Sequence, residues 1–441
     1  MIKSVLSIFK IPDLKNRVLF TLGILVLYRI GCHIPMPGIN VTALTEYFAQ
    51  ARNTLFGLYD VFAGGAFSRA AIFGLGIMPY ISASIMIQLM GSVVPYFQRL
   101  QKEGEEGRKK INQITRYGTV VIAAIQALGA SLFLENMTAP MSGMPAVPHP
   151  GFQFRLLVMI TLAAGTVLIM WMGEQITERG IGNGISLLIF INIMSRFPSA
   201  ILDEVQHLIA GNRAPMMELF IFAVLLLIIG AVVLVTEGTR KIPVQYAKRV
   251  VGRRVMGGQS TFIPIRVSGF GVMAIIFAQA MMFLPQTLKQ LFPNVEFIST
   301  VLSYFDLQSP IYWLVFGMLI LFFTYFYAAI AFNPVDVADN MKKYGGFIPG
   351  VRPGKKTAEY IDHVLSRIML PAAIFFAVIA IFPYFVTKYM NVSYGFSQFF
   401  GGTSLLIMVG VALDTLQQIE SHLLMRHYDG FMKTGRIRGR R

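Results

Sequence analysis

Charged residues and cysteines are both scarce in this sequence of 441 residues. Only 14% of the residues are charged, whereas a soluble domain normally has about 25%. Hydrophobic residues make up 55% of the chain and occur in long blocks. Because a chain of this length and composition has too little polar surface to dissolve in water, we expect lipid to be its solvent.

Motifs for catalysis and for metal binding are also missing. Because Cys32 is the single cysteine, the chain can form neither an intrachain disulfide nor a metal site made of thiolates. The six histidines show no metal-ligand spacing, and the glycine-rich run at 180–184 lacks the spacing of a dinucleotide-binding loop. We therefore expect no enzyme activity, no metal and no cofactor.

Ten apolar stretches are candidates for helices that cross a membrane, which need about 20 mostly apolar residues. The stretches are Arg17–His33, Leu75–Val94, Arg116–Leu134, Phe154–Gly173, Asn183–Ile201, Met216–Thr236, Gly269–Leu288, Pro310–Phe332, Met369–Thr387 and Phe399–Gln417. The sequence thus predicts an all-α, polytopic membrane protein with ten transmembrane helices.

Positive charge is distributed asymmetrically among the segments that connect these stretches. The net charge is +16, and most of the 38 Lys and Arg residues fall on one side when the N-terminus is placed in the cytoplasm. Because basic loops stay on the cytoplasmic side, this bias predicts that both termini are cytoplasmic. The chain starts without a recognisable removable signal peptide, so we expect the first apolar stretch to be retained.

Two long cytoplasmic loops, about 237–268 and 333–368, are richer in basic residues than topology requires. They include Arg249, Arg253 and Arg254 in the first loop, and Arg352, Lys355 and Lys356 in the second. One interpretation is that these residues only fix the topology. The other is a docking surface, because dense positive charge attracts acidic protein faces, RNA phosphates and lipid head groups.

The segment 55–73 fits neither a span nor a free loop. It is moderately apolar, yet it contains Asp60, Arg69 and the pair Gly64 and Gly65. Broken backbone at membrane depth must be buried in protein or line a cavity. We therefore expect a short helix tucked inside the protein, with an ordinary external helix as the alternative.

Isoleucines at helical spacing, rather than ionisable residues, occur inside the spans. Ile77 and Ile81 are four residues apart, as are Ile185 and Ile189, so each pair shares one helical face. Packing or lipid contact is one explanation, and a hydrophobic constriction that blocks ions by dewetting is the other. Periodicity does not choose between them. The scarcity of charged relays and paired catalytic residues argues against a small-solute carrier and a membrane enzyme.

Seven strings occur in an order and spacing that are typical of one family. They are IPMPG at 34–38, GGAFSRA at 64–70, GIMPYISAS at 76–84, GEQITERGIGNGIS at 173–186, FNP at 332–334, FIPGVRPG at 347–354 and FGGTSLL at 400–406. Over nearly the whole chain these strings resemble the SecY family, the central channel subunits of the bacterial Sec protein translocon. The resemblance implies ten spans in two pseudo-symmetric, inverted halves around a central pore, with a plug helix.

The resemblance also implies a division of the chain and a function. The N-terminal half would cover 1–210, with the plug at about 55–73, the C-terminal half 211–425, and a basic cytoplasmic tail 426–441. Unfolded secretory proteins would pass across the membrane through the pore, and membrane spans would leave it sideways into lipid. A partner motor ATPase or the ribosome would drive both processes.

Matching positions in the family's motifs imply roles for single residues. The pore ring, an apolar gasket around the passing chain, would consist of Ile77, Ile81, Ile185, Ile189, Ile276 and Ile407. The plug would include Gly64, Gly65, Phe67 and Arg69. A lateral gate would involve Ser82, Ser84, Gln88 and Gln279. These four residues can equally make ordinary interhelical hydrogen bonds.

Partners and location follow from the same resemblance. Both basic loops fall where the family docks the SecA motor ATPase and the ribosome, and Arg352 matches the family's critical arginine, here preceded by Val351. The first loop, with Arg249, Arg253 and Arg254, matches less tightly. The other expected partners are SecE-like and SecG-like small membrane subunits, signal peptides, nascent chains and the phospholipid bilayer. The expected location is the bacterial cytoplasmic (inner) membrane.

Overall fold

The computed structural model describes residues 11–50, 60–138, 143–211, 215–246, 249–251, 254–256, 260–266, 271–291, 309–390, 392, 394–399 and 401–434. The helices in these residues are α1 (Pro12–Gly31), α2 (Val41–Gln50), α3 (Met78–Val93), α4 (Pro95–Lys102), α5 (Glu105–Glu135), α6 (Phe152–Arg179), α7 (Gly184–Ile209), α8 (Pro215–Glu237), α9 (Gly271–Leu291), α10 (Pro310–Ala331), α11 (Pro334–Lys343), α12 (Lys355–Met390), α13 (Tyr394–Ser397) and α14 (Gly402–Thr434). The strands are β1 (Thr239–Tyr246), β2 (Arg249–Val251), β3 (Arg254–Met256), β4 (Ser260–Arg266) and β5 (Gly346–Phe347).

The starts of α10 and α11 show how local sequence sets the helix boundaries. Each helix begins with a proline, at a position where a missing N–H costs nothing. The preceding residues, Ser309 and Asn333, are N-caps whose side-chain oxygens accept a backbone N–H two residues on, at 3.3 and 3.1 Å. The N-cap residue and the proline that follows it therefore determine where each of these two helices begins.

All ten predicted stretches coincide with helices, namely α1, α3, α5 to α10, α12 and α14. By length and apolar composition, seven helices in the described residues can cross a membrane, or eight if α3 and α4, bent by 96°, form one span. α1 is not in this set and has charged residues near both ends, such as Asp13 in its first turn and Arg29 in its last turn, and the apolar part of α9 is short. The chain is therefore a mostly helical, multi-pass membrane protein, and the number of ten crossings stays a prediction.

Several helices are longer than the apolar stretches that predicted them. α5 begins at Glu105 rather than at Arg116, and α12 begins at Lys355 rather than at Met369. Hydropathy marks only the part of a helix that lipid can surround. The charged turns outside that part continue the same backbone hydrogen bonds, so the helix does not end where the apolar run ends.

The chain divides into two compact units. Unit 1 comprises Met1–Asp203, Leu284–Ser303 and Ile407–Arg441, and unit 2 comprises Glu204–Phe283 and Tyr304–Leu406. In unit 1, α5 packs against α3 and α6, and α1 packs against α6. In unit 2, α12 packs against α10 and α11. The division into halves at 1–210 and 211–425 stays a prediction.

The first long loop of unit 2 is folded into strands, which the sequence pattern did not predict. β1 lies between β4 and β5 and is antiparallel to both, with Thr239 opposite Arg266. Ile242, Val244 and Ile265 point into a buried core that also contains residues of α10, α11 and α12. The sheet is thereby fixed to the helices of unit 2.

Candidate functional site

Residues 60–77, called the buried stretch below, form a mostly non-helical segment inside unit 1. Residues 60–62 are helical, and turns with one isolated bridge follow up to residue 77. Nearly all of these residues are buried, as expected for a segment tucked inside the protein. The expected helix does not continue beyond residue 62, because Gly64, Gly65 and Ala70 have φ of 65°, 83° and 45°. Residues 55–59 lie outside the described residues.

The buried stretch pairs with the segment that follows α1. The N–H of Met36 donates to the carbonyl of Ala70 at 2.8 Å, and the N–H of Ile72 donates to the carbonyl of Ile34 at 3.0 Å. These bonds flank an isolated antiparallel bridge. Two of the seven motif strings, at 34–38 and 64–70, therefore meet in the fold.

Polar side chains from α1 and α7 hold the backbone of the buried stretch. Arg29 donates to the carbonyl of Gly64 at 3.0 Å. Asn192, which is 1% exposed, donates to the carbonyl of Phe62 at 2.7 Å and to the hydroxyl of Tyr28 at 2.6 Å. Because turns leave backbone carbonyls unpaired, such side-chain donors supply partners that a helix would provide internally.

Asp60 organises the start of the buried stretch and is itself only 3% exposed. Its carboxylate accepts the backbone N–H of Ser68 at 2.8 Å and forms an ion pair with Arg196 of α7. Its backbone carbonyl accepts the N–H of Gly65 at 2.9 Å. One buried acid thus closes the turn around the glycines and ties it to α7.

Sequence reasoning singled out Asp60 but missed its partners. Arg196 is 136 residues away along the chain, and the contact of Arg29 with the turn is also long-range, so no local pattern connects them. Asn192 offered a usable signal, since a polar residue within an apolar span needs a partner in the protein interior. Such a signal indicates a polar contact without identifying it.

Aromatic packing completes the surroundings of the buried stretch. Phe67 lies against Phe48 and Phe133, with ring centroids 5.6 and 6.5 Å apart. Phe73 stacks on Tyr28 at 5.6 Å. The predicted plug residue Phe67 is therefore a packed, buried side chain. The plug role of Gly64, Gly65, Phe67 and Arg69 stays a prediction.

The six isoleucines of the predicted pore ring lie in both units. Ile77, Ile81, Ile185, Ile189 and Ile407 belong to unit 1, and Ile276 belongs to unit 2. All are buried except Ile185, which is partly exposed. Ile77 ends the buried stretch, and its carbonyl accepts the N–H of Ile81 at 3.1 Å in the first turn of α3. The ring stays a prediction.

The residues of the predicted lateral gate lie on α3 and α9. Gln88 donates to the hydroxyl of Ser84 at 3.2 Å, a bond within one helix. Ser82 is buried on α3, and Gln279 is buried on α9. The Gln88–Ser84 bond is of the ordinary intrahelical kind, and the gate stays a prediction.

The predicted docking residues of the second loop are exposed. The backbone carbonyl of Arg352 accepts the Thr357 hydroxyl at 2.9 Å, while its guanidinium makes no hydrogen bond or ion pair within the described part of the chain. Lys356 pairs with Glu359 at 2.9 Å, and Lys355 is exposed beside it. In the first loop, Arg249 and Arg254 belong to the paired strands β2 and β3, and Arg253 lies outside the described residues.

Comparisons with known proteins agree with one another. A family model described as SecY matches residues 71–416. The protein translocase subunit SecY of Aquifex aeolicus is 42% identical over 97% of this chain and 98% of its own length. A solved structure described as that of a protein conducting channel superposes with a TM-score of 0.64 at 17% identity, covering 92% of both chains. Sec61 in the canine ribosome–channel complex from the endoplasmic reticulum superposes with a TM-score of 0.58 at 17% identity, covering 92% of both chains.

Proposed function

The chain belongs to the SecY family, and from this premise we propose that it forms a passive channel for proteins. Unfolded secretory proteins would cross the membrane through it, and apolar segments would leave it sideways into lipid. The chain supplies the path, and partners supply the energy.

The buried stretch is the observation that best supports a channel. Non-helical backbone inside a membrane protein must be buried in protein or line a cavity. In this chain turns fill the interior of unit 1, and polar side chains of α1 and α7 hold them there. A plug of this kind can move aside without unfolding a membrane-crossing helix.

The pore ring would follow directly after the plug. We assign it to Ile77, Ile81, Ile185, Ile189, Ile276 and Ile407. Branched apolar side chains seal against ions because they exclude water, and they do not select among the sequences that pass. A gasket of this composition suits a channel with many different substrates.

The lateral gate would be lined by Ser82, Ser84, Gln88 and Gln279. Weak polar contacts at such a seam can be exchanged for contacts with an apolar segment on its way into lipid. The partial exposure of Ser84 and Gln88 is compatible with this role.

The exposed basic surface at the start of α12 would dock the partners that drive transport. We propose the SecA motor ATPase and the ribosome as these partners, with Arg352 as the central contact. Lys355 and Lys356 of the same loop, and Arg249, Arg253 and Arg254 of the first loop, would contribute further contacts. Guanidinium groups bind carboxylate and phosphate in a bidentate manner, so one arginine can serve both an acidic protein face and RNA. SecE-like and SecG-like subunits would bind within the membrane.

The location would be the bacterial cytoplasmic membrane, with both termini in the cytoplasm. The positive charge of the loops supports this orientation, because basic segments are retained on the cytoplasmic side. The basic docking surface would then face the compartment in which proteins are made.

Reconstitution tests the proposed function. The chain is purified with its small membrane partners, inserted into liposomes and supplied with the motor ATPase, ATP and a preprotein. We expect the preprotein to become protected from added protease, and a preprotein without its signal sequence to remain accessible. Protection that is independent of the chain, or uptake of a small solute in place of the preprotein, would contradict the proposal.

A further inference from the structure

The bonds of the buried stretch fall into two groups, those within the stretch and those that tie it to the surrounding helices. Within it, the carboxylate of Asp60 accepts the N–H of Ser68 at 2.8 Å, and the carbonyl of Asp60 accepts the N–H of Gly65 at 2.9 Å. The N–H of Ala71 donates to the carbonyl of Ala66 at 2.8 Å. Because these partners belong to the stretch itself, its turns stay closed if this part moves as one piece.

The ties to α7 come from a single face of that helix. Four residues at helical spacing form this face, namely Ile185, Ile189, Asn192 and Arg196. The first two belong to the predicted pore ring. Asn192 donates to the carbonyl of Phe62 at 2.7 Å, and Arg196 pairs with Asp60. One face of α7 therefore carries part of the predicted ring and two ties to the buried stretch.

The ionic tie differs from the amide tie in its exposure. Asn192 is 1% exposed and also donates to the hydroxyl of Tyr28, so it belongs to the packed interior. In the ion pair, the Asp60 side chain is 4% exposed and the Arg196 side chain is 32% exposed. Charged side chains in membrane proteins face the protein interior or water rather than lipid. The exposed part of Arg196 therefore marks a point that water reaches.

An ion pair at the boundary between interior and water can separate reversibly. While the buried stretch is in place, the guanidinium of Arg196 compensates the carboxylate of Asp60. When the stretch moves away, both groups regain water, which offsets much of the lost attraction. Removing one partner has a different result, because the other charge then stays uncompensated as long as the stretch is in place.

We propose that the ion pair of Asp60 and Arg196 is the latch that holds the buried stretch in the resting channel and separates when the channel opens. Arg196 is a positioning residue, since it acts through Asp60 on the turn that this acid closes. Loss of the pair shifts the resting population toward the open arrangement. The inference rests on the proposed function, in which the buried stretch is the plug.

Resting ion conductance tests the latch, measured in planar bilayers that contain the chain with its small membrane partners. Arg196→Gln leaves the carboxylate of Asp60 buried without its partner, so we expect a several-fold rise in conductance. Asp60→Asn retains an oxygen that can accept the N–H of Ser68 and leaves only the partly exposed Arg196 unpaired, so the rise should be smaller. Arg196→Lys keeps the charge and should stay close to the wild type. Wild-type conductance in Arg196→Gln would overturn the proposal.

The double variant Asp60→Asn with Arg196→Gln shows whether the two residues act as one pair. It removes both charges, so no uncompensated carboxylate remains in the closed arrangement. We expect this variant to conduct less than Arg196→Gln alone. If its rise in conductance equals the sum of the two single rises, the residues act independently and the latch is wrong.

Glu135→Gln is the matched control for Asp60→Asn. It breaks an ion pair with Arg155 elsewhere in unit 1, in which the acid is also buried and the arginine also partly exposed, with side-chain exposures of 8% and 46%. Its conductance should stay at the wild-type level even if its unfolding midpoint falls. Equal rises in Glu135→Gln and Asp60→Asn would overturn the latch, and this comparison decides even if Arg196→Gln fails to fold.

Preprotein protection, measured in the same preparations, separates the latch from the proposed function. Wild-type complex that gives no protection would contradict the proposed function. Normal protection by the wild type, together with wild-type conductance in Arg196→Gln and Asp60→Asn, would overturn the latch alone.

Discussion

Two non-helical regions of the molecule, the buried stretch and the exposed turn at 349–354 ahead of α12, have opposite surroundings. Both contain glycines with positive φ, Gly64 and Gly65 in the first and Gly350 and Gly354 in the second. The buried stretch is enclosed by helices and aromatic rings, whereas the turn presents Arg352 to solvent. Turns with glycines at positive φ thus fill the interior in the buried stretch, whereas in the exposed turn they place a charged side chain in solvent.

The difference predicts how each region responds to substitution. Polar groups of the buried stretch have partners on α1 and α7, so a change there should lower the free energy of unfolding. The guanidinium of Arg352 makes no hydrogen bond or ion pair within the described residues, so a change there should leave stability intact. Any effect of replacing Arg352 must then come from lost recognition.

Arg352→Glu gives the largest expected effect on function. Reversing the charge replaces attraction by repulsion at the proposed docking surface. We expect export driven by the motor ATPase to fall at least about tenfold, corresponding to a loss of about 1.4 kcal/mol or more in binding. The measurement is preprotein protection in proteoliposomes, combined with the unfolding midpoint, which should not change.

Lys388→Glu is the matched control for this experiment. It produces the same change in charge at an exposed residue near the other end of α12, where Lys388 lies over the Trp313 ring. Export should be close to normal in this variant. Normal export by the Arg352→Glu variant would show that Arg352 is not part of the docking surface. The exposed turn would then not differ from the buried stretch by a role in recognition.

Polar replacement of Ile81 in α3 and Ile189 in α7, two residues of the predicted pore ring, gives the next effect. Changing both residues to asparagine should wet a hydrophobic constriction. We expect the resting ion conductance of planar bilayers to rise several-fold above that of the wild type. The double change to leucine keeps the site apolar and should leave the conductance low. If the asparagine variant conducts no more than the leucine variant, the two isoleucines are ordinary core residues.

The sequence predicted the helical part of this protein well. Hydropathy located ten stretches that all fall on helices, and the seven motif strings identified the SecY family, which the comparisons confirm. The burial of the segment around Gly64 was also predicted, because a segment with Asp60 and Arg69 is too polar for lipid. These features depend on which residues are close together along the chain, and a single sequence provides that information completely.

The strands and the contacts of the buried stretch were not predictable in the same way. β1 contains Pro243, which normally argues against a central strand. It is tolerated because β5 pairs only with Gln245 and Tyr246, so among the described strands β4 alone pairs with β1 at the proline. The partners of Asp60 and Gly64 come from distant helices, and only the packing of those helices brings them together.

A pair of glycine substitutions gives the smallest expected effect and isolates packing from charge. A Cβ atom at Gly165 of α6 would collide with the backbone carbonyl of Ile72 in the buried stretch, whereas one at Gly230 of α8 would meet open space. Gly165→Ala should lower the free energy of unfolding by about 1–3 kcal/mol, because a backbone neighbour cannot turn away. Gly230→Ala should leave it unchanged or raise it by up to about 1 kcal/mol, since alanine favours the helix. Equal unfolding midpoints for both variants would show that the buried stretch can shift away from α6 at no cost in stability. Close packing would then not explain why the buried stretch and the exposed turn differ.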